Sequence, residues 1–456
     1  MPDPSRVERL HKLLLHRPVV ATLLRACENA GGVPVHLVGG LLRDRLLGLP
    51  SRDYDAVVSG HGADIAAEVA ERLGAHLVHL GGKDFAAYRV VGSGDDEWVL
   101  DVWDREDMSL GDDLRRRDLT VNAFALDLRA NAHPRFADPF GGVADIDRRL
   151  LRATTETSFT GDPLRVLRLP RLLVQLPGFS ADPATLELAQ AAAPGLANVA
   201  SERVREELVL IFKREDAHRA FGLLAALDVY PGLWRGEPGQ PASAAGQGRA
   251  GRALLELERL LPRAREVTEI LVPTDGGTPS RVDLLAARYA VTFAHLLPAE
   301  GTLEERARAA AGAAERFRDA GYMTGNLAAR VIRLVRETEI PGEEREQRRF
   351  LHRLGDLWPT AVALLGARQE AGGEAAAADL VRWRRTAREL ATLVRDEGRQ
   401  ILQPPRLLGG QEVQELLGIG PGPRVGEALA AIERAQVDGD VTSREAAVAL
   451  LRRRFG

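Results

Sequence analysis

One short segment holds the residues whose types and spacing point most directly to chemistry. A short apolar run ends at Gly39-Gly40, and Arg43 follows one turn into the next predicted helix. Glycines let backbone N–H groups approach a phosphate, and an arginine one turn later reaches the same anion. Asp53 and Asp55 then alternate along a predicted strand, so both carboxylates face one side and favour a cation between them. The combination predicts a site where a bound triphosphate lies beside a carboxylate-held Mg²⁺, as nucleotidyl transfer requires.

This order of strand, glycine pair, helix, arginine, strand and paired carboxylates resembles the signature of the DNA polymerase β nucleotidyltransferase superfamily. More narrowly, it is similar to the bacterial-type (class II) tRNA nucleotidyltransferases and their poly(A) polymerase relatives. The resemblance implies that Asp53 and Asp55 are catalytic and hold Mg²⁺, and that Gly39, Gly40 and Arg43 bind the nucleotide. It also implies the tRNA 3′ end and CTP as partners, with ATP as the alternative donor.

The segment 37–58, described above, is the first block of this resemblance, and two further blocks extend it: the second at 113–127 and the third at 138–152. The segment 113–127 (DLRRRDLTVNAFALD) is similar to the family motif after the last head strand, which implies nucleotide-binding roles for Arg117, Asp118 and Asn122. An arginine binds phosphate or ribose in a fork, and an adjacent aspartate can accept from a ribose hydroxyl. The segment 138–152 (DPFGGVADIDRRLLR) is also similar to the family, and we expect it to be structural, without a catalytic residue.

A charged helical pattern follows, with Arg165, Arg168 and Arg171 spaced three apart after Asp162. Residues three or four apart share a helix face, so the pattern fits either a ligand-binding face or a solvated stripe with an internal ion pair. The resemblance implies that this helix binds the nucleotide and reads its base. Asp162 would accept from the exocyclic amine of cytosine or adenine, and Arg165 would donate to the ring.

The helix departs from the family pattern at two positions. Gly161 stands where the family usually has a glutamate, so a supporting carboxylate is missing. Pro170 lies in the predicted helix interior, where proline removes a donor and predicts a kink after Leu169.

The interval between the last predicted head strand and the second block is short and comprises Asp104–Asp112. Family members that build a complete CCA end carry a longer flexible loop there, and the short version resembles the CC-adding subgroup. Because a change of base specificity without a template needs a moving part, a short connection favours an enzyme that adds two cytidines and stops. A full CCA-adding enzyme and an A-adding or poly(A) enzyme remain the alternatives.

Composition limits the other function classes. The 456 residues are 45% hydrophobic and carry a net charge of −4, which excludes a wholly disordered or globally basic protein. The single cysteine, Cys27, excludes a disulfide framework, and no apolar run is long enough for a transmembrane helix, so we expect a cytoplasmic protein without membrane contact. A non-enzymatic RNA-binding helical protein and a small-molecule nucleotidyltransferase are rival functions. The paired aspartates argue against the first, and the long helical remainder argues against the second.

The predicted fold class is α+β: a polymerase-β-like head with a mixed sheet, followed by an all-helical neck, body and tail. The predicted domains are the catalytic head (1–150), the base-reading neck (151–215), the body (216–360) and a tRNA-binding tail (361–456). Residues 5–30 read as one amphipathic helix, and strand patterns stop near residue 150. Further local expectations are a loop or linker at 236–251, solvated charged helix faces across 251–400, and a turn between two helices at 418–423.

Overall fold

The protein is described by a computed structural model whose contacts group into two compact units. The first unit comprises Met1–Val199 with Leu227–Leu233, and the second comprises Ala200–Ala226 with Trp234–Gly456. The four-part division expected from the sequence stays a prediction. The structure describes residues 3–80, 86–93, 97–105, 108–129, 134–214, 216–229, 233, 283–296, 302–370 and 376–456.

The first unit begins with two helices where the sequence predicted one. Helix α1 spans Pro4–Leu15 and α2 spans Pro18–Asn29. Pro18 has no N–H to continue the first helix and is well suited to the first turn of a second one, which explains the break. The predicted single helix over 5–30 was therefore wrong.

A seven-stranded mixed sheet forms the centre of this unit, in the order β3-β4-β5-β2-β1-β6-β7. Neighbouring strands are antiparallel except β2 and β5, which are parallel. Strand β2 thus lies inside the sheet, between β1 and β5. The strands are β1 Val35–Val38, β2 Asp53–Val58, β3 His76–His79, β4 Ala86–Gly92, β5 Trp98–Asp104, β6 Ala125–Asp127 and β7 Phe136–Ala137.

Six further α-helices lie in the described part of the first unit, and α5 is anchored in the sheet. Leu114 of α5 is buried in a cluster with Val38, Val57 and Ala125, which come from three strands. This contact fixes α5 close to the strands that carry the glycine pair and the aspartates. The helices are α3 Gly40–Leu46, α4 Gly62–Leu73, α5 Leu110–Arg115, α6 Gly142–Arg148, α7 Arg165–Gln175 and α8 Pro183–Ala192.

One small strand pair lies beyond the predicted end of the strands. β8 (Leu150–Leu151) pairs in parallel with β9 (Ser180–Ala181). Two residues are too few to show the alternation on which strand prediction depends, so this pair had no signal in the sequence. The mixed-sheet head and the helical remainder are otherwise as expected.

The described part of the second unit is helical, and the predicted turn at 418–423 separates two of its helices. The expectation that the charge runs are all solvated was wrong in part. Arg348 is only 9% exposed and its guanidinium binds both carboxylate oxygens of Glu397, at 2.6 and 3.0 Å. The helices are α9 Ser201–Phe212, α10 Ala217–Ala226, α11 Leu284–Leu296, α12 Leu303–Asp319, α13 Gly325–Arg336, α14 Glu344–Leu354, α15 Trp358–Glu370, α16 Ala376–Leu402, α17 Gly410–Leu417, α18 Pro423–Val437 and α19 Arg444–Phe455.

Two expectations remain, one on the predicted linker and one on membrane-spanning helices. The predicted linker at 236–251 lies outside the described residues. Among the helices that are described, none combines the length and the apolar character that a membrane crossing needs.

Candidate active site

The glycine pair forms the turn between β1 and α3. Gly39 has φ +74°, a conformation that side-chain-bearing residues rarely adopt. A Cβ atom at this position would lie 3.1 Å from Nη1 of Arg117 and 3.1 Å from Oδ2 of Asp55. Both the backbone conformation and the crowding therefore require glycine, and the turn brings the first and second sequence blocks together.

The two predicted catalytic aspartates lie on β2, two residues apart. They share one face of the sheet because side chains alternate along a strand, whereas Tyr54 between them is buried on the other face. Asp53 is exposed and Asp55 is half-buried. Asp53, Asp55, Gly39 and Arg117 are called the carboxylate edge below.

A third carboxylate, Asp101, lies beside Asp55 because β5 pairs in parallel with β2 in that register. Its two oxygens each accept a hydrogen bond at 2.8 Å from the guanidinium of Arg89 on β4. Asp101 is thus already neutralised by a fork-like ion pair. Within the described ranges, no group of three or more histidine, cysteine, aspartate or glutamate side chains is arranged to hold a metal ion.

The environment of Asp55 suits a cation. Burial raises the pKa of its carboxyl to about 6, the Arg117 guanidinium opposes this shift, and the negative charges of Asp101 and Asp53 add to it. A half-buried carboxylate beside two others is costly to ionise, and a bound cation offsets that cost. Mg²⁺ often binds through one or two carboxylates together with substrate phosphates, so Asp53 and Asp55 fit a divalent metal.

Arg43 is buried beneath the glycine turn, and its guanidinium is engaged within the protein. Its Nε and Nη2 bind Oδ1 of Asp44 at 2.8 and 2.7 Å, and its Nη1 donates to Oδ1 of Asn122 at 2.7 Å. A Cβ atom on Gly40 would lie 3.3 Å from Nη2 of Arg43, so the second glycine allows this packing. Arg43 therefore ties α3 to the second block.

Asn122 continues this network toward α7. Its Nδ2 donates to Oδ1 of Asp118 at 3.0 Å, and Oδ1 of Asp118 also accepts from the backbone N–H of Leu119. Nη1 of Arg168 lies 3.5 Å from Oδ2 of Asp118. Arg168, other charges and these donors favour the ionised carboxylate, which leaves the pKa of Asp118 below its usual value although burial alone would raise it. The chain of contacts from Arg43 to Arg168 thus connects the glycine turn with α7.

The predicted base-reading residues lie at the start of α7, with one correction. Asp162 precedes the helix instead of lying on it, and its Oδ1 accepts from the N–H of Leu164 at 3.3 Å. Its Oδ2 is 4.0 Å from Nε of Arg165, whose Nη1 donates to the carbonyl of Ser158 at 2.9 Å. Residues 162–171 are called the base-reading segment below.

Pro170 does not end the helix, which continues to Gln175. Leu169, Pro170 and Leu172 are all buried, so this turn of the helix packs in the core. The kink expected after Leu169 stays a prediction. Arg165, Arg168 and Arg171 are half-buried, and three-residue spacing places them on neighbouring parts of one helix surface.

A cavity of about 650 Å³ lies next to this segment. Arg116, Arg165 and Thr155 are among the residues that line it. Arg165 therefore borders this cavity, and Ser158, whose carbonyl accepts from its Nη1, lines the cavity as well.

Sequence reasoning missed two residues that shape the site. Asp113 is buried and binds both Arg116 and Arg117, and Arg89 holds Asp101. The spacing of three and four residues from Asp113 to the arginines was a usable helix signal. The pairing of Arg89 with Asp101 depends on strand register, which the sequence does not display.

Two family models match parts of the chain, and named relatives match nearly all of it. Residues 35–152 match the poly A polymerase head domain family, and residues 178–235 match a family described as the probable RNA and SrmB-binding site of polymerase A. The A-adding tRNA nucleotidyltransferase of Deinococcus radiodurans is 31% identical over 91% of this chain and 94% of its own length. The CC-adding tRNA nucleotidyltransferase of Geobacter sulfurreducens is 29% identical over 93% of this chain and 92% of its own length.

A solved structure shows the same fold. The Bacillus stearothermophilus CCA-adding enzyme in complex with CTP superposes with a TM-score of 0.64 at 24% identity, over 96% of this chain and 98% of its own.

Proposed function

The chain belongs to the tRNA nucleotidyltransferase family and is a nucleotidyltransferase, and within that family we propose that it is a CC-adding enzyme. It transfers CMP from CTP to the 3′ end of tRNA without a nucleic-acid template, and it stops after two cytidines. The 3′-hydroxyl oxygen of the RNA attacks the α-phosphorus of CTP. The new P–O bond forms as the bond to pyrophosphate breaks, and the hydroxyl proton is released.

The carboxylate edge carries the chemistry in this proposal. Asp53 and Asp55 hold a divalent cation, for which we propose Mg²⁺, and when bound it lowers the pKa of the attacking hydroxyl and offsets phosphate charge. Backbone groups of Gly39 and Gly40 lie against the triphosphate, and Arg117 donates to phosphate or ribose. The fixed positions of these groups supply the orientation that converts a two-molecule reaction into one within a complex.

The network behind this edge supports the nucleotide site. The nucleotide-binding residues of this proposal include three that position the site: Arg43, Asn122 and Asp118. Arg43 donates to Asn122 at 2.7 Å, and Asn122 donates to Asp118 at 3.0 Å. Arg168 of α7 lies 3.5 Å from Asp118. The network therefore also fixes the position of α7 relative to a nucleotide bound at the glycine turn.

Base recognition is assigned to the base-reading segment. The carboxylate of Asp162 accepts from N4 of cytosine, and the guanidinium of Arg165 donates to the ring, while Arg168 and Arg171 complete the positive surface for the nucleotide. Uracil presents a carbonyl where cytosine has an amine, so it would face the Asp162 carboxylate with no donor. The cost of an unpaired buried acceptor then excludes uracil.

The single observation that carries the CC-adding proposal is the short connection from β5 to α5. β5 ends at Asp104, and Ser109 already caps α5 by accepting from the N–H of Asp112. The N–H of Met108 donates to the carbonyl of Arg105 at 2.9 Å, and Nη1 of Arg105 donates to the carbonyl of Met108 at 2.7 Å. A connection closed on itself in this way has little reach, so we expect the pocket to keep the size that suits cytosine.

An A-adding enzyme is the second candidate, because the Deinococcus radiodurans relative that matches over nearly the full chain carries that name. A full CCA-adding enzyme is the third. All three use the same head chemistry and differ in which nucleotide they accept and when they stop.

Product length separates these candidates. A tRNA transcript that lacks its 3′ CCA is incubated with Mg²⁺ and CTP, with Mg²⁺ and ATP, or with Mg²⁺ and both nucleotides. The products are resolved at single-nucleotide length. The CC-adding proposal predicts two additions with CTP, none with ATP, and two with the mixture. Three additions with the mixture would establish the full CCA enzyme. No extension of this transcript, but one addition to a transcript ending in CC with ATP, would establish the A-adding enzyme.

A further inference from the structure

Asp113 is a buried carboxylate that holds two successive arginines, Arg116 and Arg117. Its side chain is 5% exposed. Oδ2 accepts from Nη2 of Arg117 at 3.0 Å, and Oδ1 accepts from Nη2 and Nε of Arg116 at 2.9 and 3.2 Å. We propose that Asp113 is a positioning residue that sets the guanidinium of Arg117 against the carboxylate edge.

The guanidinium of Arg117 depends on this one strong anchor. Its Nε is buried without a hydrogen-bond partner, so the side chain is held at Nη2 by Asp113. Its Nη1 points to the glycine turn, where the site of a Cβ on Gly39 is 3.1 Å both from Nη1 and from Oδ2 of Asp55. Rotation of the guanidinium away from Asp113 would move Nη1 out of this narrow space.

Asp113 itself is held by backbone and core contacts. Its N–H donates to the carbonyl of Ser109 at 3.0 Å, and the next residue, Leu114, is packed among strand residues of the sheet. The Asp113 carboxylate is therefore fixed relative to the sheet, and it fixes the guanidinium of Arg117 in turn. A buried carboxylate is costly unless it is paired, and the two arginines supply that pairing.

This inference rests on the proposed function, in which Arg117 contacts the phosphates or ribose of CTP. Asp113→Asn keeps the shape of the side chain but removes its charge. We expect kcat/KM for CTP to fall about 10- to 100-fold, as for the loss of a charge-assisted hydrogen bond, with the change mainly in KM for CTP. KM for tRNA should change little.

A double-mutant cycle tests whether Asp113 acts through Arg117. The variants are Asp113→Asn, Arg117→Ala and the two combined, assayed by CMP addition to tRNA lacking its 3′ end. If Asp113 only positions Arg117, the double variant should be no worse than Arg117→Ala alone. Multiplying losses in the double variant would overturn the proposal.

Asp145 provides the matched control. It is also a buried head aspartate bound to an arginine, with Oδ2 accepting from Arg152 at 2.9 Å, and the hydrogen-bond partners of its side chain among the described residues are Arg152 and Thr120 rather than Arg117. Asp145→Asn combined with Arg117→Ala should show losses that multiply.

A second variant keeps the proposal testable if Asp113→Asn does not fold. Asp113→Glu retains the charge, so it should recover most of the kcat/KM that the asparagine variant loses and should also show a non-multiplying cycle with Arg117→Ala. A glutamate variant that is folded yet as poor as Arg117→Ala would overturn the proposal. Wild-type protein that adds no nucleotide to any tRNA end would instead overturn the proposed function.

Discussion

The carboxylate edge and the base-reading segment belong to the same unit but are held in different ways. At the edge, Arg117 is bound by Asp113 at 3.0 Å, and the neighbouring Asp101 is fixed by two bonds of 2.8 Å from Arg89. Two ion pairs of the base-reading segment are longer: 4.0 Å from Arg165 to Asp162 and 3.5 Å from Arg168 to Asp118. The ion pairs around the carboxylate edge are thus shorter than these two pairs of the segment assigned to the base.

This difference separates reaction from recognition. Groups that act on the α-phosphorus gain from a fixed geometry, because a small displacement there costs rate. Groups that read a base gain from long side chains whose best hydrogen bonds form only with the correct partner. Changes at the edge should therefore reduce turnover for every nucleotide, and changes in the base-reading segment should alter which nucleotide is used.

The largest effect is expected from removing a charge at the edge. Asp53→Asn or Asp55→Asn should each lower kcat by about 10³-fold or more, since several kcal/mol of charge stabilisation by the cation are lost. Asp64→Asn on the surface of α4, where the side chain is 82% exposed, is the control and should match the wild type. Near-normal turnover in either edge variant, with a native circular dichroism spectrum, would remove the metal assignment.

Two glycines that share the same positive φ sharpen the comparison. Gly39 and Gly48 both have φ +74°, but a Cβ on Gly48 would meet nothing within 4 Å. Alanine at either position should cost about 1–3 kcal/mol of unfolding free energy for the strained backbone. Only Gly39→Ala should also reduce kcat/KM, for CTP and for every other nucleotide alike, because its methyl group displaces Arg117 or Asp55. Equal activity of the two variants, measured beside their thermal midpoints, would show that crowding at Gly39 is unimportant.

The base-reading segment should respond in selectivity. Asp162→Ala is expected to reduce the preference for CTP over UTP by about 5- to 150-fold, which corresponds to roughly 1–3 kcal/mol. Competition assays with mixed CTP and UTP measure this ratio directly. An unchanged ratio, with a lower rate for both nucleotides, would show that Asp162 affects turnover as the residues of the carboxylate edge do. It would contradict the assignment of base recognition to the base-reading segment.

The sequence predicted the parts of the site that depend on local spacing. The glycine pair, the alternation of Asp53 and Asp55, and the arginines of α7 are visible within a few residues of chain. Asp162 was placed on the helix because a three-residue spacing cannot show where the first helical turn begins. The position of Pro170 inside the helix is as the sequence predicted, and the buried packing around it could not be read from propensity alone.

The parts that the sequence could not predict depend on contacts between distant residues. The bond from Arg43 to Asn122 joins residues 79 apart in the chain. The fork from Arg89 to Asp101 requires the register of β4 against β5. In each case an arginine and its acceptor are ordinary residues in their own segments, and only the fold makes them a pair.

The proposed CC specificity requires that the head, with its short connection from β5 to α5, accepts cytosine and not adenine. A single assay tests this: ATP alone is offered to a tRNA that already ends in CC, and the product is resolved at single-nucleotide length. We expect no addition, while the same preparation adds two cytidines from CTP to a tRNA that lacks its 3′ end. Efficient conversion of the CC end to CCA would show that the pocket accepts adenine and would overturn the CC-adding proposal.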